Sequence, residues 1–246
     1  MKRIGMALLA SIALPLAAQA KDVTYSVSGA EYEGYMAAPE GDSKGTVLLI
    51  HDWDGLTDYE RKRADMLAEM GYTVFAADLY GKGNRPESVE ARKAEVGKLY
   101  KDREAMRARI LGGLDAARNG GAPTETVAMG YCFGGAAVLE LARSGAAEDM
   151  AGYATFHGGL KTPEGQDFSK TDAPVMILHG GADAGIPMTD LAEVSVKMEE
   201  AEVEYEIEVY SGAPHAWTVF GSPRYREEAD RKSWAAFGDF LGETLD

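Results

Sequence analysis

Val127-Ala128-Met129-Gly130-Tyr131-Cys132-Phe133-Gly134-Gly135-Ala136 runs from an apolar strand pattern through G-x-C-x-G into a helix opening made of small residues. A nucleophile that must stand clear of a sheet needs a sharp strand-to-helix turn, and glycines two positions to either side leave room for the backbone that such a turn presses together. Cys132 takes the place that serine holds in the commoner form of this elbow. At the head of a helix its sulfur also meets the end of the dipole that favours thiolate. The plain alternative is a buried structural cysteine beside two chance glycines. Cys132 is the single cysteine among 246 residues, which excludes an internal disulfide and leaves those two readings for the rest of the chain to decide.

The strand before the elbow belongs to a series. Thr46-Val47-Leu48-Leu49-Ile50 is a continuous apolar run, and the pattern recurs at Thr73 to Ala77, Thr126 to Met129, Gly152 to Phe156 and Val175 to Leu178. Unbroken apolar runs fit strands buried on both faces, and helical patterns between most of them imply a parallel sheet with crossover helices. Helices are expected at Asp58 to Met70, from about Pro86 to Ala117 with a break at Gly112-Gly113, at Gly134 to Arg143, at Met188 to Ala201 and at Pro223 to Leu245. Val203 to Tyr210 alternates apolar residues with Glu204, Glu206 and Glu208, the mark of a half-exposed strand at or near the sheet edge whose glutamates form a solvated face. Ahead of the parallel series, Val23 to Ala37 alternates loosely around Ser28-Gly29 and predicts an antiparallel hairpin.

Chain order then tests the elbow, because α/β-hydrolases carry their triad in the order nucleophile, acid, histidine. The strand at Val175 leads into His179-Gly180-Gly181-Ala182-Asp183, and the strand at Val203 leads through Ser211-Gly212-Ala213-Pro214 to His215. Both candidates lie in loops beyond strand carboxyl ends, where the sites of open α/β sheets gather. Of the four histidines, only His215 follows the acid; His51, His157 and His179 each stand at the end of a strand and are expected to line the pocket or bond backbone. Those three do not make a tight zinc motif such as H-E-x-x-H, and no metal or cofactor is expected. The oxyanion hole is expected from the N–H of Phe133, the residue after the nucleophile, and that of Trp53 in the loop after the first buried strand.

On Gly130-Tyr131-Cys132-Phe133-Gly134-Gly135, Asp78-Leu79-Tyr80-Gly81, the Gly180 to Pro187 loop and Pro214-His215-Ala216-Trp217, the chain resembles the dienelactone hydrolases, or carboxymethylenebutenolidases. The resemblance spans nearly all of the sequence after residue 20. It implies the α/β-hydrolase fold, a mostly parallel central sheet flanked by helices, with a Cys132-His215-Asp183 triad, no metal, and hydrolysis of an enol-lactone through a thioester acyl-enzyme. The family restrains its cysteine with a glutamate after the first core strand; Asp52 stands there, one methylene shorter, and is expected to hold the oxyanion loop through backbone N–H groups. Where the family binds its substrate's carboxylate with two arginines, this chain has Lys82 and Val219, with Arg85 and Arg224 nearby. The substrate contacts expected on this basis are Asp52, Tyr80, Lys82, Arg85 and Trp217. The departures also fit a rival, a catalytically degenerate binding protein on the same fold. A thiol redox role lacks a resolving cysteine.

Lys2 and Arg3, the apolar stretch Ile4 to Leu16 and Ala18-Gln19-Ala20 have the form of a secretory signal peptide. Cleavage is expected after Ala20, leaving one domain over 21–246 in the periplasm or outside the cell. With 25 basic against 40 acidic residues the net charge is −15, which argues against a nucleic-acid partner, since that would require a cationic surface. The expected partner is a small-molecule ester or lactone, met by a monomer with no stable membrane association after signal removal.

Overall fold

A computed structural model describes residues 19–245. The first strands, β1 (Gln19–Val27) and β2 (Ala30–Ala38), form the expected hairpin, closed by Ser28 and Gly29 at φ 50° and 82°. Two successive positive φ values match the twist of a two-residue hairpin turn. The expected signal segment lies outside the described residues except for Gln19 and Ala20, which pair with Ala38 and Ala37 at the start of β1.

The parallel part alternates as the sequence predicts. It runs β3 (Thr46–Ile50), α1 (Asp58–Glu69), β4 (Thr73–Ala77), α2 (Val89–Lys101), α3 (Arg103–Asn119), β5 (Thr126–Tyr131), α4 (Phe133–Ser144), β6 (Met150–Phe156), β7 (Val175–Gly180), α5 (Met188–Glu200), β8 (Tyr205–Tyr210) and α6 (Glu227–Leu245). The eight strands form one sheet in the order β1-β2-β4-β3-β5-β6-β7-β8, parallel from β4 to β8 and antiparallel at β1-β2 and β2-β4. Within β3, Leu48 and Ile50 face a core shared with α2 to α5, while Val47 and Leu49 face one shared with α1 and α6. All four are fully buried, which explains why β3 reads as an unbroken apolar run. At about 1.5–3 kcal/mol for each such side chain, the two cores supply the main force holding the helices to the sheet.

The long helical region breaks at Asp102 instead of at Gly112-Gly113. Asp102 leaves helical geometry at φ −124°, ψ 80°, and its side chain accepts the Ala105 N–H at 2.9 Å as the cap of α3. The glycines serve close packing: a Cβ at Gly112 would stand 2.3 Å from Val27 Cγ2, and one at Gly113 2.7 Å from the Ala77 Cβ. They let α3 lie against β1 and β4. The last helix also starts later than predicted, because residues 223–226 turn back so that the Arg226 N–H donates to the Trp217 carbonyl at 3.0 Å. Strand β8 sits at the edge, paired to β7 alone, with Glu206 exposed. Among the described residues, no helix is long and apolar enough to cross a membrane.

Candidate active site

Cys132 joins β5 to α4 at φ 52°, ψ −110°, a backbone conformation that L-residues rarely adopt. Strain of this kind amounts to about 1–3 kcal/mol and persists only where the surroundings enforce it. Here the enforcing contacts are the glycines. A Cβ at Gly130 would fall 2.3 Å from the Gly134 carbonyl carbon, one at Gly134 2.2 Å from the Ile50 oxygen, and one at Gly135 2.1 Å from Thr155 Oγ1. No side chain fits at any of the three. The Cys132 N–H donates to the Phe156 carbonyl at 3.0 Å and fixes the turn to β6.

Loops from the carboxyl ends of β7 and β8 bring the other two groups to the sulfur. His215 Nδ1 lies 2.7 Å from Asp183 Oδ2, and its Nε2 lies 3.1 Å from Cys132 Sγ. Asp183 Oδ1 accepts the N–H groups of Gly185 at 2.8 Å and Ile186 at 2.9 Å. Burial alone would raise this carboxyl, but the bonds from His215, Ile186 and Gly185 hold it below the usual range. A charged Asp183 keeps the proton on Nδ1, so Nε2 is left to accept.

The thiol departs from the sequence expectation. Burial, then the Asp52 carboxylate, push it up to about 12; the Phe133 N–H works the other way, and Asp183 and Asp54 add to the rise. Loss of water around the sulfur outweighs the helix terminus. At rest and near neutral pH, Cys132 is therefore a thiol.

Asp52 is buried beside it. Its Oδ1 accepts the Asp54 N–H at 3.0 Å, and its own N–H donates to Glu60 Oε1 at 3.3 Å, so it braces the loop that carries Trp53. Burial, then Asp54 and Glu60, raise its carboxyl well above the ordinary range. Glu60 is pushed up to about 7 by burial, against the bonds it accepts from Thr57. Asp52, Asp54 and Glu60 bring carboxylate oxygens within 4.8 Å of one another, the spacing of a metal site. Their bonding is that of a helix cap, with Glu60 Oε2 accepting the Thr57 N–H and hydroxyl, each at 2.8 Å.

The remaining histidines are buried. His51 Nδ1 donates to the Asp52 carbonyl at 2.6 Å while its Nε2 accepts the Leu79 N–H at 3.1 Å. His157 Nε2 meets Thr218 Oγ1 at 2.8 Å, and its ring packs edge-on to His215 with centroids 5.2 Å apart. His179 lies within β7, with no hydrogen-bond partner on either ring nitrogen among the described residues.

A pocket of about 390 Å³ opens onto Cys132 and His215, with walls of Trp53, Val96, Tyr100, Phe133 and Ile186. Both residues expected to supply oxyanion donors thus face it. None of the five expected substrate contacts lines it, Asp52 being engaged in bracing the loop that carries Trp53. Tyr80 stands behind the wall, its hydroxyl donating to the Trp53 carbonyl at 3.1 Å and its ring against Phe133. Lys82 is drawn to the hairpin, with Nζ 3.0 Å from Thr24 Oγ1 and 3.5 Å from Glu33. Arg85 is spent on the carbonyls of Leu56 and Asn84 and on Asp78. Trp217 is fully buried in the core against His157 and Tyr210. The wall that was not foreseen comes from α2: Lys93, Val96, Gly97 and Tyr100 all line the pocket. Their i, i+3, i+4, i+7 spacing was the available signal.

The family model of the dienelactone hydrolases matches residues 32–245. The chain belongs to that family. Dienelactone hydrolase family membership makes it a hydrolase of carboxylic esters or lactones. A protein of Saccharolobus solfataricus provisionally named carboxymethylenebutenolidase is 25% identical over 90% of this chain and 97% of its own length. One of Salmonella typhimurium with the same provisional name is 27% identical over 84% of this chain and 80% of its own. Among solved structures, a dienelactone hydrolase-like promiscuous phosphotriesterase from metagenomic libraries superposes with a TM-score of 0.85 at 27% identity, covering 94% of this chain and all of that one.

Proposed function

We propose that this dienelactone hydrolase family member cleaves its ester or lactone with Cys132 as nucleophile, His215 as general base and acid, and Asp183 as the group that orients the ring. The observation that carries the reading is the unbroken row from Asp183 Oδ2 through the imidazole to Cys132 Sγ, at 2.7 and 3.1 Å. Because the resting thiol is neutral, the base must act during attack: Nε2 takes the thiol proton as sulfur adds to the carbonyl carbon. The N–H groups of Phe133 and Trp53 receive the developing oxyanion, each such donor contributing about 2.7–4 kcal/mol to the transition state. Collapse breaks the bond to the leaving oxygen, which takes the proton from His215 and leaves a thioester on Cys132. Water, deprotonated by the same imidazole, adds to the thioester carbonyl; expulsion of sulfur restores the thiol and releases the acid.

The apolar walls fit an acyl portion without charge next to the scissile carbonyl. We place the working enzyme outside the cytoplasm, freed of residues 1–20, on the strength of the leader pattern alone. Turnover of p-nitrophenyl butyrate by wild type and Cys132→Ala tests the assignment. The variant is expected to lose about 10³-fold or more in kcat/KM. Undiminished turnover would remove Cys132 from the mechanism.

A further inference from the structure

The pocket over Cys132 adjoins a second hollow of about 350 Å³, with Tyr100 and Ile186 in the walls of both. The two hollows differ in charge. Arg103, Arg143 and Lys161 line the second, against Asp190 as its only carboxylate among the described residues. Behind it Glu140, fully buried, serves three guanidinium groups: Arg103 at 2.9 Å, Arg107 at 2.5 Å and Arg143 at 3.5 Å. Lys161 and Asp190 cancel, and Arg107 faces a neighbouring hollow with Asp167, so Arg103 and Arg143 against Glu140 leave a local surplus of one positive charge in a chain whose net charge is −15.

Arg143 is the least satisfied of the cations lining the hollow. Its side chain is 3% exposed; Nε donates to Gln166 at 2.9 Å and Nη2 faces Glu140, while Nη1 has no hydrogen-bond partner among the described residues. Burial, with the nearby Arg103, lowers its pKa to about 10 despite Glu140. Guanidinium groups favour planar, bidentate oxyanions. Tyr100 bridges the hollows, its ring 5.8 Å from that of Phe133 and 5.4 Å from the Arg103 guanidinium carbon.

We propose that the second hollow is a subsite for a carboxylate at the far end of the acyl portion, so that the favoured substrate is an ester or lactone with an apolar middle and a remote anionic terminus. The proposal rests on Cys132 and His215 marking the reacting end. It differs from carboxylate binding at Lys82 or Arg85, both of which are tied up elsewhere.

The experiment uses p-nitrophenyl esters of matched chain length ending in methyl or in carboxylate, graded in length. For wild type, the kcat/KM ratio of carboxylate to methyl ester is expected to peak above about tenfold at one length and to fall with salt. In Arg103→Gln and, separately, in Lys161→Gln on the exposed side, the ratio is expected to drop toward one. Calorimetric titration of Cys132→Ala with monomethyl adipate reads the same subsite without turnover, and weak, salt-sensitive binding lost in the Arg103→Gln double variant is expected. Ester turnover with no carboxylate preference at any length and no binding overturns the subsite and leaves the hydrolase reading standing. Binding without ester turnover by wild type does the reverse.

Discussion

Two carboxylates flank one sulfur and have opposite fates. Asp183 receives the Gly185 and Ile186 N–H groups and the His215 ring, and it is held low; Asp52 receives one N–H, sits near Asp54 and Glu60, and is driven high. Both are buried, but Asp52 lies deeper, and loss of water is the first cause of its rise. The number of donors and the sign of the neighbours widen the difference. On the Asp183 side the arrangement stabilises a carboxylate that holds the imidazole in its Nδ1–H tautomer, whereas on the Asp52 side it disfavours negative charge on Asp52 and on the sulfur alike. The resulting site is quiet at rest and depends on His215 to act.

Replacing Asp183 with Asn breaks the first side. Its N–H groups stay in reach of an amide oxygen, but the amide no longer fixes the proton on Nδ1, and kcat is expected to fall by about 10⁴-fold with little loss of fold. Stopped-flow or steady-state ester assays paired with circular dichroism check this. A loss below about tenfold would mean that Asp183 does not set the tautomer.

The second side has its own signature in stability. Glu60 titrates at about 7 in the folded protein, against 4.5 for an ordinary glutamate, so between those values the folded state holds a proton that the unfolded state has lost. Its contribution is therefore intact below about pH 4.5 and declines as pH rises to about 7, by up to about 3 kcal/mol. Urea unfolding of wild type and Glu60→Gln across that window is expected to show a shallower fall in the variant. Parallel curves would place the raised carboxyl elsewhere.

The smallest effect is expected at Asp52→Asn. Without that carboxylate the thiol becomes easier to ionise, so the pH profile of iodoacetamide alkylation of Cys132 should move to lower pH, with rates a few-fold higher at a given pH between about 8 and 11. A shift to higher pH would show that Asp52 acts as a donor to sulfur and not as a neighbouring charge.

How much of this could be read beforehand follows from whether each feature is local. β3 and β4 were legible to the residue because burial on both faces leaves an unbroken apolar run. The convergence of Cys132, Asp183 and His215 was legible because strand order in a parallel sheet fixes which loops meet. The break in the long helical region was misassigned because glycine marks both flexibility and close approach, and only the position of Val27 and Ala77 shows which applies at Gly112 and Gly113. The expected substrate contacts lie away from the pocket for a related reason. Lys82 and Trp217 occupy telling positions in the chain, but Glu33 draws one aside and the core takes the other. The state of the thiol was beyond reach, since it depends on water removed from the sulfur and on Asp52, eighty positions away in the chain.

The proposed mechanism turns on a covalent bond between acyl group and sulfur. Rapid mixing of the protein with excess p-nitrophenyl acetate, acid quenching within the first turnover and intact-mass analysis reads that bond directly. The expected result is one added acetyl group per chain, mapped to Cys132, alkali-labile as a thioester and cleared as substrate is exhausted. Full turnover with no adduct on Cys132 at any time point, or an adduct on another residue that forms and clears at the rate of turnover, would contradict it.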